Sequence, residues 1–209
     1  MLLADIGNTH IHFYDTSKDI VTHIPHKEGI NLYKDEKIFY ISVNIGLEDK
    51  IKSLTNWINI SLKISLDGAY NGMGVDRRAL CLSHRDGVFI DAGSAITVDI
   101  MENGLYQGGF ILAGVQSILK SYQDISPILN IDINYKVSMD RLPLTTKDGI
   151  SYGIIAPIKT IIEKHQKDRR LYFTGGDGEY LSSFFKNGLF DERLVFKGMQ
   201  TQLKVKKLC

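Results

Sequence analysis

Cysteine is scarce in this chain of 209 residues, with Cys81 and Cys209 the only two. Two thiols cannot build a disulfide framework or a thiolate metal centre, and the shortage fits a reducing compartment. Long apolar runs are missing too. No stretch approaches the roughly 18 apolar residues of a membrane span, and Asp5 interrupts the N-terminus before an apolar run of signal-peptide length can form. The expected location is cytoplasmic. An excess of charge of either sign is also lacking: 25 Lys and Arg against 24 Asp and Glu give a formal net charge of +1. That balance supplies no global electrostatic reason for a nucleic-acid or membrane partner. The basic Lys204, Lys206 and Lys207 are too few to alter it and read as a solvated end. No low-complexity tract occurs.

The chain does have the material for a core. Its 44% hydrophobic content over 209 residues supports one compact unit or two small lobes. The feature that organises the rest is a repeated turn. Asp5-Ile6-Gly7-Asn8-Thr9 follows the apolar Met1 to Ala4, and Asp91-Ala92-Gly93-Ser94 follows Gly87-Val88-Phe89-Ile90. Each copy reads as strand, tight turn, strand. Glycine lets the backbone come close to a ligand, so turn amides can point at phosphate oxygens while Asn8 and Thr9 add side-chain donors. Asp5 cannot bind phosphate itself. Its chemistry suits Mg²⁺ or a water of the Mg²⁺ shell, since hard cations take oxygen ligands and bridge nucleotide phosphates. An isolated Asp-x-Gly is usually only a turn. Two copies at strand ends suggest two halves folded alike around one phosphate-bearing ligand.

Between and after these turns the pattern is mixed. Lys37 to Val43 alternates as a strand, and Ile51, Leu54, Trp57 and Ile58 form a helical stripe over Glu48 to Ile58. The glycine-dense Asp67 to Gly74 marks a crossing, giving lobes 1–78 and 79–209. Glu102-Asn103-Gly104 signals a hairpin between Ile96–Met101 and Leu105–Leu112. Helices are expected over Gly114 to Tyr122, Ile150 to His165 and Gly178 to Phe185, with Pro157 predicting a kink or a late start in the second. Leu171 to Thr174 reads as a short buried strand running into Gly175-Gly176, and Leu194 to Lys197 as a last strand. Strands followed by helices alternating with strands, twice over, argue α/β architecture with mixed sheets.

A set of short motifs in fixed order resembles the type III pantothenate kinase family, within the acetate and sugar kinase, Hsp70 and actin superfamily. They are Asp5-Ile6-Gly7-Asn8-Thr9-His10, Gly74-Val75-Asp76-Arg77, Asp91-Ala92-Gly93-Ser94-Ala95-Ile96-Thr97, Gly108-Gly109-Phe110-Ile111-Leu112-Ala113-Gly114, Thr145-Thr146 with Gly153, and Thr174-Gly175-Gly176. Each is weak alone, and the ordered set is specific. The resemblance implies two ribonuclease-H-like lobes of the actin-like ATPase kind. It also implies ATP-dependent phosphorylation of pantothenate, the first step towards coenzyme A, by a homodimer using Mg²⁺ and a monovalent cation, K⁺ or NH₄⁺.

By family position Asp76 is the base that takes the hydroxyl proton, and a carboxylate with an ordinary pKa of about 3.9 is ionised at neutral pH. Arg77 beside it offers a planar fork for pantothenate's carboxylate. Tyr70 contacts the substrate through ring and hydroxyl, Gly74 and Val75 through backbone, and Thr146 closes the substrate set. Asp5, Ile6, Gly7, Asn8, Thr9, His10, Ile11 and His12 take ATP together with Ser94, which keeps a hydroxyl where threonine is usual. Asp91 matches the acid that binds the monovalent cation. Structural readings stand beside these: a surface turn pair for Asp76 and Arg77, a packing plug for Tyr70, a helix N-cap for Thr146, and a second base or Mg²⁺ ligand for Asp91. His10 and His12 share a strand face at i, i+2, and lacking a third ligand they read as a hairpin face rather than a metal site. A non-catalytic nucleotide-binding regulator of the same fold is the alternative function, and a superfamily kinase or phosphatase acting on another small molecule is a third.

Overall fold

The computed structural model describes residues 1–205, so Lys206, Lys207 and Cys209 lie outside the described residues. The chain forms two compact units that interleave in sequence. The first gathers Met1–Arg85, Glu102–Gln107 and the stretch from Glu192 onward; the second is Asp86–Met101 with Gly108–Asp191. The glycine loop suggests a single break at residue 78, whereas two later stretches rejoin the first unit.

The first unit is built on strands β1 (Leu2–Ile6), β2 (His10–Asp15), β3 (Ile20–Pro25), β4 (Ile38–Ser42) and β5 (Trp57–Asn59), in the order β3-β2-β1-β4-β5. β1 runs antiparallel to β2 and parallel to β4, and β4 runs parallel to β5. Period-two alternation sorts the side chains. Ala4 and Ile6 join Ile11, Phe13, Ile38, Tyr40 and Trp57 in a core closed by Ile30 of helix α1 (His26–Tyr33) and Ile51 of helix α2 (Glu48–Lys52). Leu3 and Ile41 face the other way and are equally buried. Helices α3 (Val75–Cys81) and α7 (Leu194–Val205) cover that side, with the Tyr14 and Phe196 rings 5.3 Å apart. Gly198 sets how closely the two helices cross, because a Cβ there would lie 1.7 Å from the Ala79 carbonyl oxygen.

The second sheet repeats the plan with β6 (Gly87–Ala92), β7 (Ala95–Glu102), β8 (Leu105–Ala113), β9 (Leu171–Thr174) and β10 (Gly188–Phe190), in the order β10-β9-β6-β7-β8; the hairpin tip Glu102–Gln107 counts with the first unit. Read from the opposite edge, this is the first sheet's order. The central strand again runs antiparallel to the next strand and parallel to the one after the crossover. Helices α4 (Val115–Ile125), α5 (Thr146–Gln166) and α6 (Gly178–Ser182) flank it, with Ile150, Ile154, Ile155, Ile158 and Ile162 of α5 turned into the core. Asn103 and Gly104 both adopt positive φ, 55° and 80°, as a two-residue hairpin turn of the right twist demands. Two mixed five-stranded sheets flanked by helices bear out the expected fold.

Several local expectations are corrected. Leu194 to Lys197 begins a helix rather than a strand: Val195, Met199 and Leu203 recur at helical spacing and are buried against the first sheet, which overrides the β-prone Leu-Val-Phe run. The helix expected through Ile58 stops at Lys52, and Trp57 and Ile58 belong to β5. α6 is shorter than expected, ending at Ser182. α5 starts early, at Thr146, with Pro157 inside it. Asp76 sits in the first turn of a helix, where the sequence suggests a loop.

Candidate functional site

In the first unit, the turn after β1 is cross-braced. The Gly7 amide donates to the His10 carbonyl at 3.1 Å, closing the turn. The Gly7 carbonyl in turn accepts from the Asn44 side-chain Nδ2 at 3.3 Å and meets His26 Nε2 at 3.0 Å. These contacts leave the Asn8, Thr9 and His10 side chains exposed at the tip. Ile6 and Ile11 are fully buried in the core, so only their backbone can meet a ligand. His12 is half-buried and turns towards His23 on β3. Its pKa is lowered to about 4 by burial, with the neighbouring His23 and His10 adding to the effect.

The glycine-dense segment leads into α3, and here Tyr70, Arg77 and Asp76 cluster. Gly74 is the N-cap and Asp76 lies in the first turn, where the helix dipole favours a carboxylate. Asp76 Oδ1 accepts the Arg77 amide at 2.7 Å. The carboxylate folds over Gly74, where a Cβ would approach Oδ1 to 2.4 Å. Arg77 is buried, at 6% exposure, yet its guanidinium is held by phenols: Nη1 donates to the Tyr70 hydroxyl at 2.8 Å and Nη2 to the Tyr106 hydroxyl at 3.4 Å. The guanidinium also sits 5.9 Å from the Tyr70 ring centre, within cation-π range. Tyr70 itself is 52% exposed. It lines an open, largely polar depression of about 360 Å³ with Ser65, Asn71, Gly72 and Arg78, a volume in the range of small-molecule sites.

In the second unit Asp91 lies on β6, in register with Thr97 of β7 and Thr174 of β9. Gly175 has φ +85°, and a Cβ there would lie 2.5 Å from Asp91 Oδ1, so glycine is required beside that carboxylate. The Thr97 hydroxyl is buried and finds no hydrogen-bond partner among the described residues. Ser94 is exposed at the turn, and its carbonyl accepts from the Gly114 amide and the Ser117 hydroxyl, both at 3.1 Å. Thr146 is exposed at the first position of α5. The helix cap is its neighbour Thr145, whose hydroxyl accepts the Asp148 amide at 3.2 Å. This corrects the alternative reading of Thr146 as the cap. Hydrogen bonds from Asn134 and Thr145 lower the Asp148 pKa.

The first unit thus brings together Tyr70, Arg77 and the Gly74–Asp76 turn, and separately shapes the Asp5 turn. Thr146, Asp91 and Ser94 belong to the second unit. Sequence reasoning missed Tyr106, which completes the grip on Arg77, and His26 and Asn44, which hold the Gly7 carbonyl. Only Asn44 left a signal, as a polar cap residue just after a strand. Among the described residues no helix is long and apolar enough to cross a membrane.

Residues 46–168 match the family profile of type III pantothenate kinases. A type III pantothenate kinase of Campylobacter jejuni is 41% identical over 204 residues, covering 98% of this chain and 97% of that protein. Those of Wolinella succinogenes and Helicobacter hepaticus are each 43% identical, covering 99% and 98% of this chain and 98% of each relative. Among solved structures, a Campylobacter jejuni protein assigned to the Baf family of transcriptional activators superposes with TM-score 0.90 at 39% identity, covering both chains fully. A Sinorhizobium meliloti structure assigned as a 2-dehydro-3-deoxygalactonokinase has TM-score 0.61 at 5% identity, a likeness of fold alone.

Proposed function

Because the chain belongs to the type III pantothenate kinase family, we propose that the residues assembled above divide the work of phosphorylating pantothenate between them. The protein is a kinase, a phosphotransferase to an alcohol, with ATP and pantothenate as substrates and coenzyme A biosynthesis as its context. The finer assignments follow from what each side chain can do.

Phosphoryl transfer needs an aligned hydroxyl, a stabilised γ-phosphate and somewhere for the proton to go. The pantothenate hydroxyl oxygen forms the new bond to the γ-phosphorus, the bond to the ADP oxygen breaks, and the hydroxyl proton passes to the Asp76 carboxylate. Asp76 suits this role because it is part-exposed and oriented from the first turn of α3. Arg77 and Tyr70 form the carboxylate-recognising pair, with Tyr106 fixing the guanidinium. Gly74 and Val75 contribute backbone to the same face. Thr146, exposed at the start of α5, offers a hydroxyl for substrate contact by family position. The exposed Asn8, Thr9 and His10 side chains and the turn amides suit phosphate oxygens. His12 lies beyond them on β2. The exposed Ser94 hydroxyl offers phosphate the same chemistry at its own turn.

Asp5 and Asp91 occupy matching places at the ends of the two central strands, and carboxylate oxygens are the donors hard cations take. They fit a Mg²⁺ and a monovalent cation, K⁺ or NH₄⁺, respectively. When bound, such cations neutralise charge on the phosphates. We further place the enzyme in the cytoplasm as a homodimer.

The single observation that carries the reading is the intact Gly74-Val75-Asp76-Arg77 segment, with its carboxylate and guanidinium held as described, in a chain similar over nearly its whole length to pantothenate kinases. The test is direct: purified protein with ATP, Mg²⁺ and K⁺ converts pantothenate to 4′-phosphopantothenate, detected by mass. A folded protein that gives no product would favour the regulatory reading, which the Baf-family description of one relative raises and the presence of both Asp5 and Asp76 disfavours.

A further inference from the structure

His12 and His23 are direct cross-strand partners on β2 and β3. Their rings meet edge to face with centroids 4.7 Å apart, and the two Nδ1 atoms share a short hydrogen bond. The other nitrogen of His23 is spoken for: Nε2 lies 3.4 Å from Glu192 Oε2, on the stretch that rejoins the first unit. A carboxylate on Nε2 keeps the proton there, so His23 Nδ1 accepts and His12 Nδ1 donates in the hydrogen bond between the rings; a metal ion takes that proton's place once His12 carries its proton on Nε2. That is the arrangement seen when imidazole ligates a metal, with the outer nitrogen donating to a carboxylate that sets the tautomer. The i, i+2 pairing of His10 with His12 pointed to a hairpin face; the partner that matters comes instead from β3, a strand the sequence did not reveal.

We propose that His12 Nδ1 and His23 Nδ1 form a two-point site for a borderline divalent transition-metal ion of the Zn²⁺ class, with Glu192 as the outer-sphere partner of His23. Paired imidazole nitrogens suit Zn²⁺, Cu²⁺ and Ni²⁺, whereas Mg²⁺ prefers oxygen and keeps its waters. Among the described residues no group of three His, Cys, Asp or Glu side chains is arranged around a metal. The remaining coordination positions therefore go to water, and the ion stays exchangeable. Occupancy ties β2 to β3 immediately beyond the first phosphate turn, so this site is distinct from any cation carried in with ATP.

The probe is Cu²⁺ added to the full-length protein and followed by electron paramagnetic resonance. Wild type should bind one tight equivalent whose spectrum shows hyperfine coupling to two imidazole nitrogens, displaced by Zn²⁺ and untouched by excess Mg²⁺. His23→Gln should weaken that binding at least tenfold and remove one nitrogen. Its circular dichroism and its Mg²⁺-supported kinase rate, measured without Cu²⁺, should match wild type because His23 is exposed and outside the catalytic set. Glu192→Gln should keep both nitrogens and weaken binding about tenfold, the usual order for loss of an outer-sphere partner. Unaltered Cu²⁺ binding by folded His23→Gln, or displacement by Mg²⁺, or no tight equivalent in wild type, would each overturn the proposal.

Discussion

Replacing Gly198 with alanine tests whether the crossing of α3 and α7 is as close as the backbone implies. In an exposed helix the change would stabilise, since glycine costs about 1 kcal/mol relative to alanine. Here the new Cβ would stand 1.7 Å from the Ala79 carbonyl oxygen and 2.7 Å from its carbon, both backbone atoms that no rotamer change can move. The helices must separate by about 1.3 Å before the contact becomes even tight, and interiors packed like crystals do not yield that cheaply. Overpacking of this kind costs about 1–3 kcal/mol, with the upper end expected because backbone is involved. Net destabilisation of about 1–2 kcal/mol remains after the propensity gain. Urea unfolding followed by fluorescence of Trp57, the only tryptophan and a core residue of the first unit, reads that unit directly. Gly149→Ala is the matched comparison: it lies in α5 with nothing within 4 Å of its Cβ position, so the same substitution should stabilise by about 0.5–1 kcal/mol. A Gly198→Ala protein as stable as wild type would refute the close crossing.

Asp76→Asn should retain fold and ATP affinity while kcat falls about 10²- to 10⁴-fold, the range for loss of a general base; an unchanged kcat would place the base elsewhere. Tyr106→Phe should raise the pantothenate KM several-fold through a less constrained Arg77, with Arg77→Ala raising it further; if only ATP affinity changed in steady-state kinetics, the pocket assignment would be wrong. Acidification should weaken the fold between pH 6.5 and about 4. His12 titrates near 4 when folded and near 6.5 when unfolded, so the unfolded chain binds more protons across that window and stability rises with pH. The effect is capped at about 3 kcal/mol; denaturation midpoints from pH 4 to 7 should flatten in His12→Gln, and an equal slope in both would sink the assignment. Gly175→Ala should abolish activity at modest cost in secondary structure, because its Cβ would press within 2.5 Å of Asp91 Oδ1; full activity with an unshifted circular dichroism melt would contradict the close approach.

The parts of the fold legible in the sequence were those with local grammar. The two Asp-x-Gly turns, the Asn103-Gly104 hairpin and the short β9 all declare themselves through turn chemistry or a compact apolar run. What escaped was set by tertiary packing. β3 carries Val21, Thr22 and His23 on an edge strand with little burial to pattern it. α7 opens with residues that favour a strand and becomes helical because Met199 and Leu203 need the back of the first sheet. The same division holds for the site. Asp76 and Arg77 announce themselves as a motif, whereas Tyr106 arrives 29 residues later in sequence, from a hairpin whose pairing with Asp67 no local pattern reveals.

The last helix closes the first unit. α7 is the final stretch of the described chain to leave the ribosome, yet it packs on β1, in the sheet whose strands are synthesised first, and on α3. Until roughly 200 residues have been translated, α3 alone covers that apolar face, and the nascent first unit is a candidate client for chaperones. A stalled chain ending near Phe190 should display that exposed sheet face and aggregate, although every strand of the unit is already present.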